Sequence, residues 1–363
     1  MDARQLFSGN LSLADVHPGV ALTVVFLLAY PGFASDFFVF QIGAYSLILG
    51  TISLSLMMLA GYGGMVSLAQ LTIAGIAGYL VAILGDNSVG VMGLGWPWWL
   101  TVPAALLAAV LFSTFIGAIS VRTDGIYMIM ITLAIAVAFF YFVRQNYVLF
   151  NGFTGFAGIE PPTLFGIYWR DPVPFYYLSL FVAAGFFWAV RYAARSTYGL
   201  SLQAIRDNPR RMRALGYDVT LHRIVAHILA GVIAGTAGIL LVWFNGRISP
   251  GSVGIDVAID ILVIAVVGGL RHPIGPFLGA IVFVLLENFA IDLIDRERFN
   301  TVIGVAFLLV VLFSPDGLLG LFNRIRSQVQ LGRRTRLEAG RPATGGRNVV
   351  GSLEPNYEGG ADV

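Results

Sequence analysis

Asp256 and Asp260 lie one helical turn apart, and Ser67 and Gln70 lie three residues apart, so each pair can present its polar groups on one helix face. The two carboxylates would suit a proton or ion site. Placed at the start of an apolar run, they are explained as simply by solvation and a favourable helix dipole. Glu287, Asp292, Asp295, Arg296, Glu297 and Arg298 read as a mixed, solvated loop. His17, His222, His227 and His272 are scattered among termini and loops, and the pair at 222 and 227 is five apart, off-face for helical metal ligation, so no metal site is expected. The absence of cysteine excludes disulfides, thiolate nucleophiles and sulfur metal sites. There is no GxSxG elbow and no HExxH motif, so no catalytic residues are expected. Lysine is also absent, all 22 basic residues being arginine, and the phosphate-binding GxxxxGK[ST] motif therefore cannot occur. Any ATP hydrolysis coupled to this chain must take place on another one. A net charge of +2 gives no argument for nucleic acid.

The elements that must position these residues are membrane helices. Of 363 residues 57% are apolar and 12% charged, about half the charge usual in soluble domains. Ten apolar runs separated by Gly, Pro or charge predict an all-α polytopic membrane protein with about ten spans, some of them broken: 20–34, 37–60, 65–84, 96–119, 126–147, 175–192, 224–244, 257–270, 274–286 and 301–313. The stretch 257–286 could be one long helix or two spans broken at GGLRHPIGP, with Gly268, Gly269, Pro273 and Pro276 as the breaking residues. Charge favours the break. Ten spans with a cytoplasmic N-terminus put 17 arginines inside and five outside, whereas nine would move the seven tail arginines outside, against the positive-inside rule. Residues 1–18 are then a cytoplasmic N-terminus without a cleavable signal, 19–317 the membrane domain, and 318–363 a disordered cytoplasmic tail. The outer loop Val148 to Pro174 is a candidate mouth or cap.

One charged interruption stands out. In GLSLQAIRDNPRRMRALGYDV, Gly199 to Val219, Asp207 and Asn208 can cap a helix start, Pro209 suits its first turn, Arg210 to Leu215 form its body and Gly216 its stop. So short a helix is marginal by itself, so packing must hold it, with Ile205, Met212 and Leu215 as its apolar contacts. The run Gly61, Gly63, Gly64 has two readings. It is either close packing of small residues, or a broken helix whose freed backbone groups, with Ser67 and Gln70, line a substrate path.

The interruption resembles the cytoplasmic loop of permease subunits of ABC transporters for branched-chain amino acids, the LivM-type family, in the pattern AIRDN followed by ALG at Ala204 to Asn208 and Ala214 to Gly216. LAGYGGMVSLAQLTIAGIAGY (Leu59 to Tyr79), RTDGIYMIMITLA (Arg122 to Ala134) and ISPGSVGIDVAIDILVIAVVGGLRHPIGPFLGA (Ile248 to Ala280) extend the resemblance over roughly residues 40 to 317. Ala69 and Gln70 depart from the Gly-His or Gly-Gln usual after the Ser-Leu pair. The resemblance implies an ABC importer permease fold and a loop, Ala204 to Pro209 with Arg210, Met212 and Ala214 to Gly216, that docks an ATPase. It also implies a sister permease, two cytoplasmic ATPase subunits that hold ATP and Mg, an extracytoplasmic solute-binding protein, and residence in a bacterial inner membrane. Branched-chain amino acids are the expected solutes, with urea and short amides as alternatives within the family. An ion-gradient-driven carrier is the alternative of another class, and it would need ionisable residues at mid-membrane depth.

Overall fold

A computed structural model describes residues 18–88, 93–123, 125–163, 166, 168–293, 304–305 and 317–318. The architecture is helical, as lipid requires of a chain whose backbone groups must be satisfied internally. In order, the helices are α1 (Pro18–Ala29), α2 (Tyr45–Met57, continued by π-helical turns at Phe38–Ala44 and Met58–Tyr62), α3 (Gln70–Leu84), α4 (Trp98–Ser120), α5 (Ile126–Gln145), α6 (Tyr147–Phe150), α7 (Pro172–Arg195), α8 (Thr197–Asp207), α9 (Pro209–Ala214), α10 (Val219–Asn245), α11 (Ile255–Gly268) and α12 (Gly275–Leu293). Among the described residues, six helical stretches are long and apolar enough to cross a membrane: Phe38–Tyr62, Trp98–Ser120, Ile126–Gln145, Pro172–Arg195, Val219–Asn245 and Pro250–Gly268. Shorter apolar helices lie at Thr23–Gly32, Gln70–Leu84 and Gly275–Phe289. The chain is thus an all-α polytopic membrane protein. The expected span at 301–313 lies outside the described residues except for Gly304 and Val305, as do residues 1–17 and the tail beyond Leu318.

Helix ends segregate to two faces. At one, α8 meets the end of α2, the start of α10 meets the end of α4, the α11–α12 turn packs on the end of α2, and Gly317 lies against Gly268 and Gly269. At the other, strand β1 (Phe156–Ala157) pairs antiparallel with β2 (Arg247–Ile248), Phe156 opposite Ile248. Ser88 reinforces this cap by donating from its amide to Ala157 O at 3.0 Å. The expected outer loop is therefore a built cap tied to the exit of α10.

α10 is the central helix. Its small residues let neighbours approach closely: a β-carbon on Gly238 would sit 2.1 Å from the Ala74 carbonyl oxygen of α3, and one on Gly231 would sit 2.5 Å from Ser113 Cβ of α4. One apolar cluster joins α2, α7, α10, α11 and α12 around Ile48, Phe175, Phe244 and Ile264. A second joins α3, α4 and α10 to the cap around Tyr79, Ala109, Phe150 and Phe156. By contrast α4 and α7 leave Leu107, Leu111, Phe115, Phe181 and Trp188 exposed, as helices facing lipid or a partner must.

Three sequence expectations need correction. The third span starts at Gln70 rather than 65, because Gly64 takes φ +68° and the chain runs non-helically to Ala69. Glu287 and Asp292 belong to α12, which continues past the expected end at 286. His227 is no loop residue: it sits within α10 and is fully buried.

Candidate functional site

The charged interruption folds as two capped helices where sequence patterning predicts one. Ser196 Oγ accepts from Gly199 N at 3.2 Å and starts α8. Asn208 Oδ1 accepts from Arg211 N at 3.0 Å and starts α9. Asp207 instead ends α8, and its carboxylate pairs with Arg206 at 2.9 Å. The cap signal at Asp207-Asn208-Pro209 thus marks the close of one helix as well as the start of the next. α9 ends in a Schellman arrangement: Tyr217 N donates to Met212 O at 3.1 Å, Gly216 N donates to Arg213 O at 3.0 Å, and Gly216 carries the left-handed turn at φ +89°. Asp218 Oδ1 then caps α10 by accepting from Leu221 N at 3.0 Å.

Packing holds the pair in place through Ile205, Met212 and Val219, which form a small buried cluster with Ala204 alongside. Leu215, expected inside, is 65% exposed, because the helix stops at Ala214 and the turn swings Leu215 outward. With Tyr217, Leu221 and the exposed Arg210, Arg211 and Arg213 it makes a mixed apolar and basic surface. Tyr198 of α8 stacks on His222 and donates to its carbonyl at 2.9 Å, and burial raises the phenol above its ordinary pKa, so it stays a neutral donor.

Arg206 points the other way. Its Nη1 donates to the Gly61 carbonyl where α2 ends, and a β-carbon on Gly64 would lie 2.6 Å from its Cγ. Gly61 in turn lies under the α11–α12 turn, since a β-carbon there would meet Leu270 O at 2.0 Å. Arg223, only 6% exposed, does the same for α4, donating from Nη1 to Val121 O at 3.3 Å. A guanidinium at a helix C-terminus answers orphan carbonyls and the negative end of the dipole together. Charge counting alone treats Arg223 as an orientation signal; its inward role shows only in the structure, where it lies one turn before the buried His227 on α10.

The structure therefore gathers Gly61, Gly63 and Gly64 with Arg206, and places them at a helix end beside α8. Ser67 and Gln70 are separate from that cluster and fully buried. Gln70 Oε1 accepts from Ser55 Oγ at 2.9 Å, while its Nε2 is buried without a hydrogen-bond partner among the described residues. Such an orphan donor costs free energy in an apolar interior. Ser55, which sequence reasoning did not single out, is the partner that fixes this amide.

The second interruption lies at Gly269 to Ile274. Gly268 ends α11, Gly269 takes φ +110°, and α12 begins at Gly275, with Pro273 in the turn and Pro276 in the first turn of α12. A β-carbon on Gly268 would lie 1.9 Å from Gly275 O, so the two helices cross with their backbones in contact. His272 Nδ1 accepts from Ile274 N at 3.2 Å; burial, then Arg191 and Arg195, hold its pKa below the ordinary 6.5.

The family model described as branched-chain amino acid transport system / permease component matches residues 38–312. The high-affinity branched-chain amino acid transport system permease protein LivM of Salmonella typhimurium is 24% identical over 291 residues, covering 74% of this chain and 65% of its own length. LivM of Escherichia coli is 25% identical over the same shares. The chain thus spans slightly under two thirds of these relatives. The nucleoside ABC transporter permease protein NupC of Lactococcus lactis is 26% identical over 241 residues, 63% of this chain and 74% of its own. No solved structure matches.

Proposed function

The chain belongs to the family of branched-chain amino acid transport system permease components, and from that premise we propose that it is the membrane permease subunit of an ATP-driven importer of branched-chain amino acids. On this reading it sits in the inner membrane with both ends cytoplasmic, beside a sister permease, two ATPases and an external binding protein, and itself performs no covalent chemistry. A nucleoside solute is the second reading, favoured by the likeness to NupC. The observation that carries the proposal is the route from the α8–α9 surface through Arg206 to Gly61, and from Gly61 to Leu270. An ATPase seated on Leu215, Tyr217 and the α9 arginines would move α8 as a body. Arg206 would then pull on the end of α2, and the α11–α12 turn packed on Gly61 would follow.

The solute path remains with Ser67 and Gln70, the buried polar group next to the α2–α3 break. Two variants test the scheme in the assembled transporter. Arg206→Ala leaves the α9 surface and the Ile205–Met212–Val219 cluster in place, so the ATPases should still co-purify while leucine uptake falls about tenfold, the equivalent of one lost charge-assisted hydrogen bond. Gln70→Leu, close in size, should lower uptake with assembly intact. Uptake at the unsubstituted rate in Arg206→Ala would sink the coupling route, and in Gln70→Leu it would remove that amide from the path.

A further inference from the structure

At the face opposite α8 and α9, a cavity of about 460 Å³ opens between the start of the α2 stretch and the outer loop. That volume falls within the range of small-molecule sites, about 300 to 1,000 Å³. Asp36, Phe37, Phe40, Gln41, Tyr168 and Arg170 line it. The floor is rigid: the Phe40 ring stacks on Phe244 at 4.5 Å and packs against buried Phe175 at 5.5 Å. The guanidinium is placed by its surroundings. It lies over Gly246, where a β-carbon would come within 2.5 Å of Nη2, and its Nη1 reaches Glu160 at 3.5 Å. Glu160 is held more closely by Tyr168, whose hydroxyl donates to it at 2.9 Å. An arginine has five N–H donors, and a contact of 3.5 Å is long beside the 2.7–2.9 Å of a close charge-assisted bond, so the guanidinium keeps capacity for an anion.

One cavity thus carries a carboxylate, a guanidinium, an amide and three aromatic rings. A simple anion would meet Asp36 and a simple cation would meet Arg170, so each alone is disfavoured by a like charge. A small molecule bearing both charges and an apolar group satisfies all three kinds of wall. We infer that this cavity is an entry site for a free α-amino acid zwitterion, with Arg170 taking the carboxylate, Asp36 the ammonium, and Phe37 and Phe40 the apolar side chain. The inference rests on the import reading and locates where the solute first meets this chain, beside the cap formed by β1 and β2.

The test measures ligand binding to the full-length chain in lipid nanodiscs, without binding protein, by saturation-transfer NMR with leucine, 3-methylbutylamine and 4-methylpentanoate. Leucine should bind more tightly than either analogue, and Arg170→Ala and Asp36→Asn should each weaken it about tenfold, the loss expected for one charged contact. The pattern should also cross over. Arg170→Ala should leave the amine unaffected or improved, and Asp36→Asn should do the same for the acid. Gly246→Ala, which retains both charges and displaces the guanidinium, should reproduce the Arg170→Ala pattern in milder form. No leucine binding to the unsubstituted chain, equal binding of all three probes, or indifference to both charge variants would overturn the site. Uptake in cells separates this from the broader reading: leucine uptake without nanodisc binding rejects the site alone, whereas uptake of no branched-chain amino acid rejects the importer assignment.

Discussion

Arginine residues of one charge do three different things here. Arg210, Arg211 and Arg213 stay in solvent on α9, Arg206 and Arg223 turn inward to close the ends of α2 and α4, and Arg170 sits over a cavity at the far face. Charge counting treats the first two groups alike, and only the carbonyl each guanidinium reaches tells them apart. The same holds for the neighbours Asp207 and Asn208, both good caps by type, of which only Asn208 accepts from the first turn of α9. Asn208→Ala should therefore destabilise the helix pair locally by about 1 kcal/mol. Asp207→Ala removes an exposed ion pair and should cost less. Gly216→Val should be worst, because φ +89° is a conformation a β-branched residue resists, even though a β-carbon there meets nothing within 4 Å among the described residues. ATPase co-purification and uptake should fall in the order Gly216→Val, Asn208→Ala, Asp207→Ala, with membrane insertion unchanged. A larger loss in Asp207→Ala than in Asn208→Ala would contradict the cap assignment.

At the scale of elements, both helix interruptions depend on backbone approach and on one side chain that replaces missing helical partners. In the α11–α12 turn that side chain is His272, whose Nδ1 can accept from Ile274 N only while the ring is neutral. Its lowered pKa means the neutral form is favoured in the folded chain. Its contribution is therefore present above the ordinary 6.5 and lost as pH falls below it through the folded value. The thermal stability of the purified chain should fall as pH drops below the ordinary 6.5, and His272→Asn, which keeps an acceptor without titrating, should flatten that slope. An unchanged slope would place the sensitivity on another group. The interruption itself was legible in advance, because Gly268, Gly269, Pro273 and Pro276 cluster within nine residues and the arginine distribution demanded an even count. α8 was not legible: Thr197 to Asp207 abuts α9 across one residue, and Asp207-Asn208-Pro209 reads as a beginning even though it is also an end. The burial of His227 and the exposure of Leu215 escaped for the opposite reason, since each is decided by a neighbour remote in sequence or by a turn beyond the helix. The two-residue ladder between Phe156 and Ile248 exists only through tertiary contact, which local propensity does not encode.

For the whole molecule, the decisive property is which face of the bundle meets the cytoplasm. The α8–α9 face holds seven arginines between Arg191 and Arg223, with Arg122 near the end of α4 and Arg271 in the α11–α12 turn; the far face holds Arg144, Arg170 and Arg247. Under the positive-inside rule that asymmetry would put α8 and α9 on the cytoplasmic side, the position the docking proposal requires. The complete absence of cysteine makes the orientation directly measurable, because a single introduced thiol is the only one to label. Leu215 and Phe153, 65% and 69% exposed, mark the two faces without disturbing a core. With a membrane-impermeant maleimide, Phe153→Cys should label in intact cells or spheroplasts and Leu215→Cys only after the membrane is inverted or opened. Labelling of Leu215→Cys from outside would reverse the topology and with it the docking proposal. If instead the orientation holds, the same thiol reports on partner contact: Leu215→Cys in inverted vesicles should react more slowly when the ATPases are bound than when they have been stripped, since the 65% exposure seen for the chain alone would then be covered.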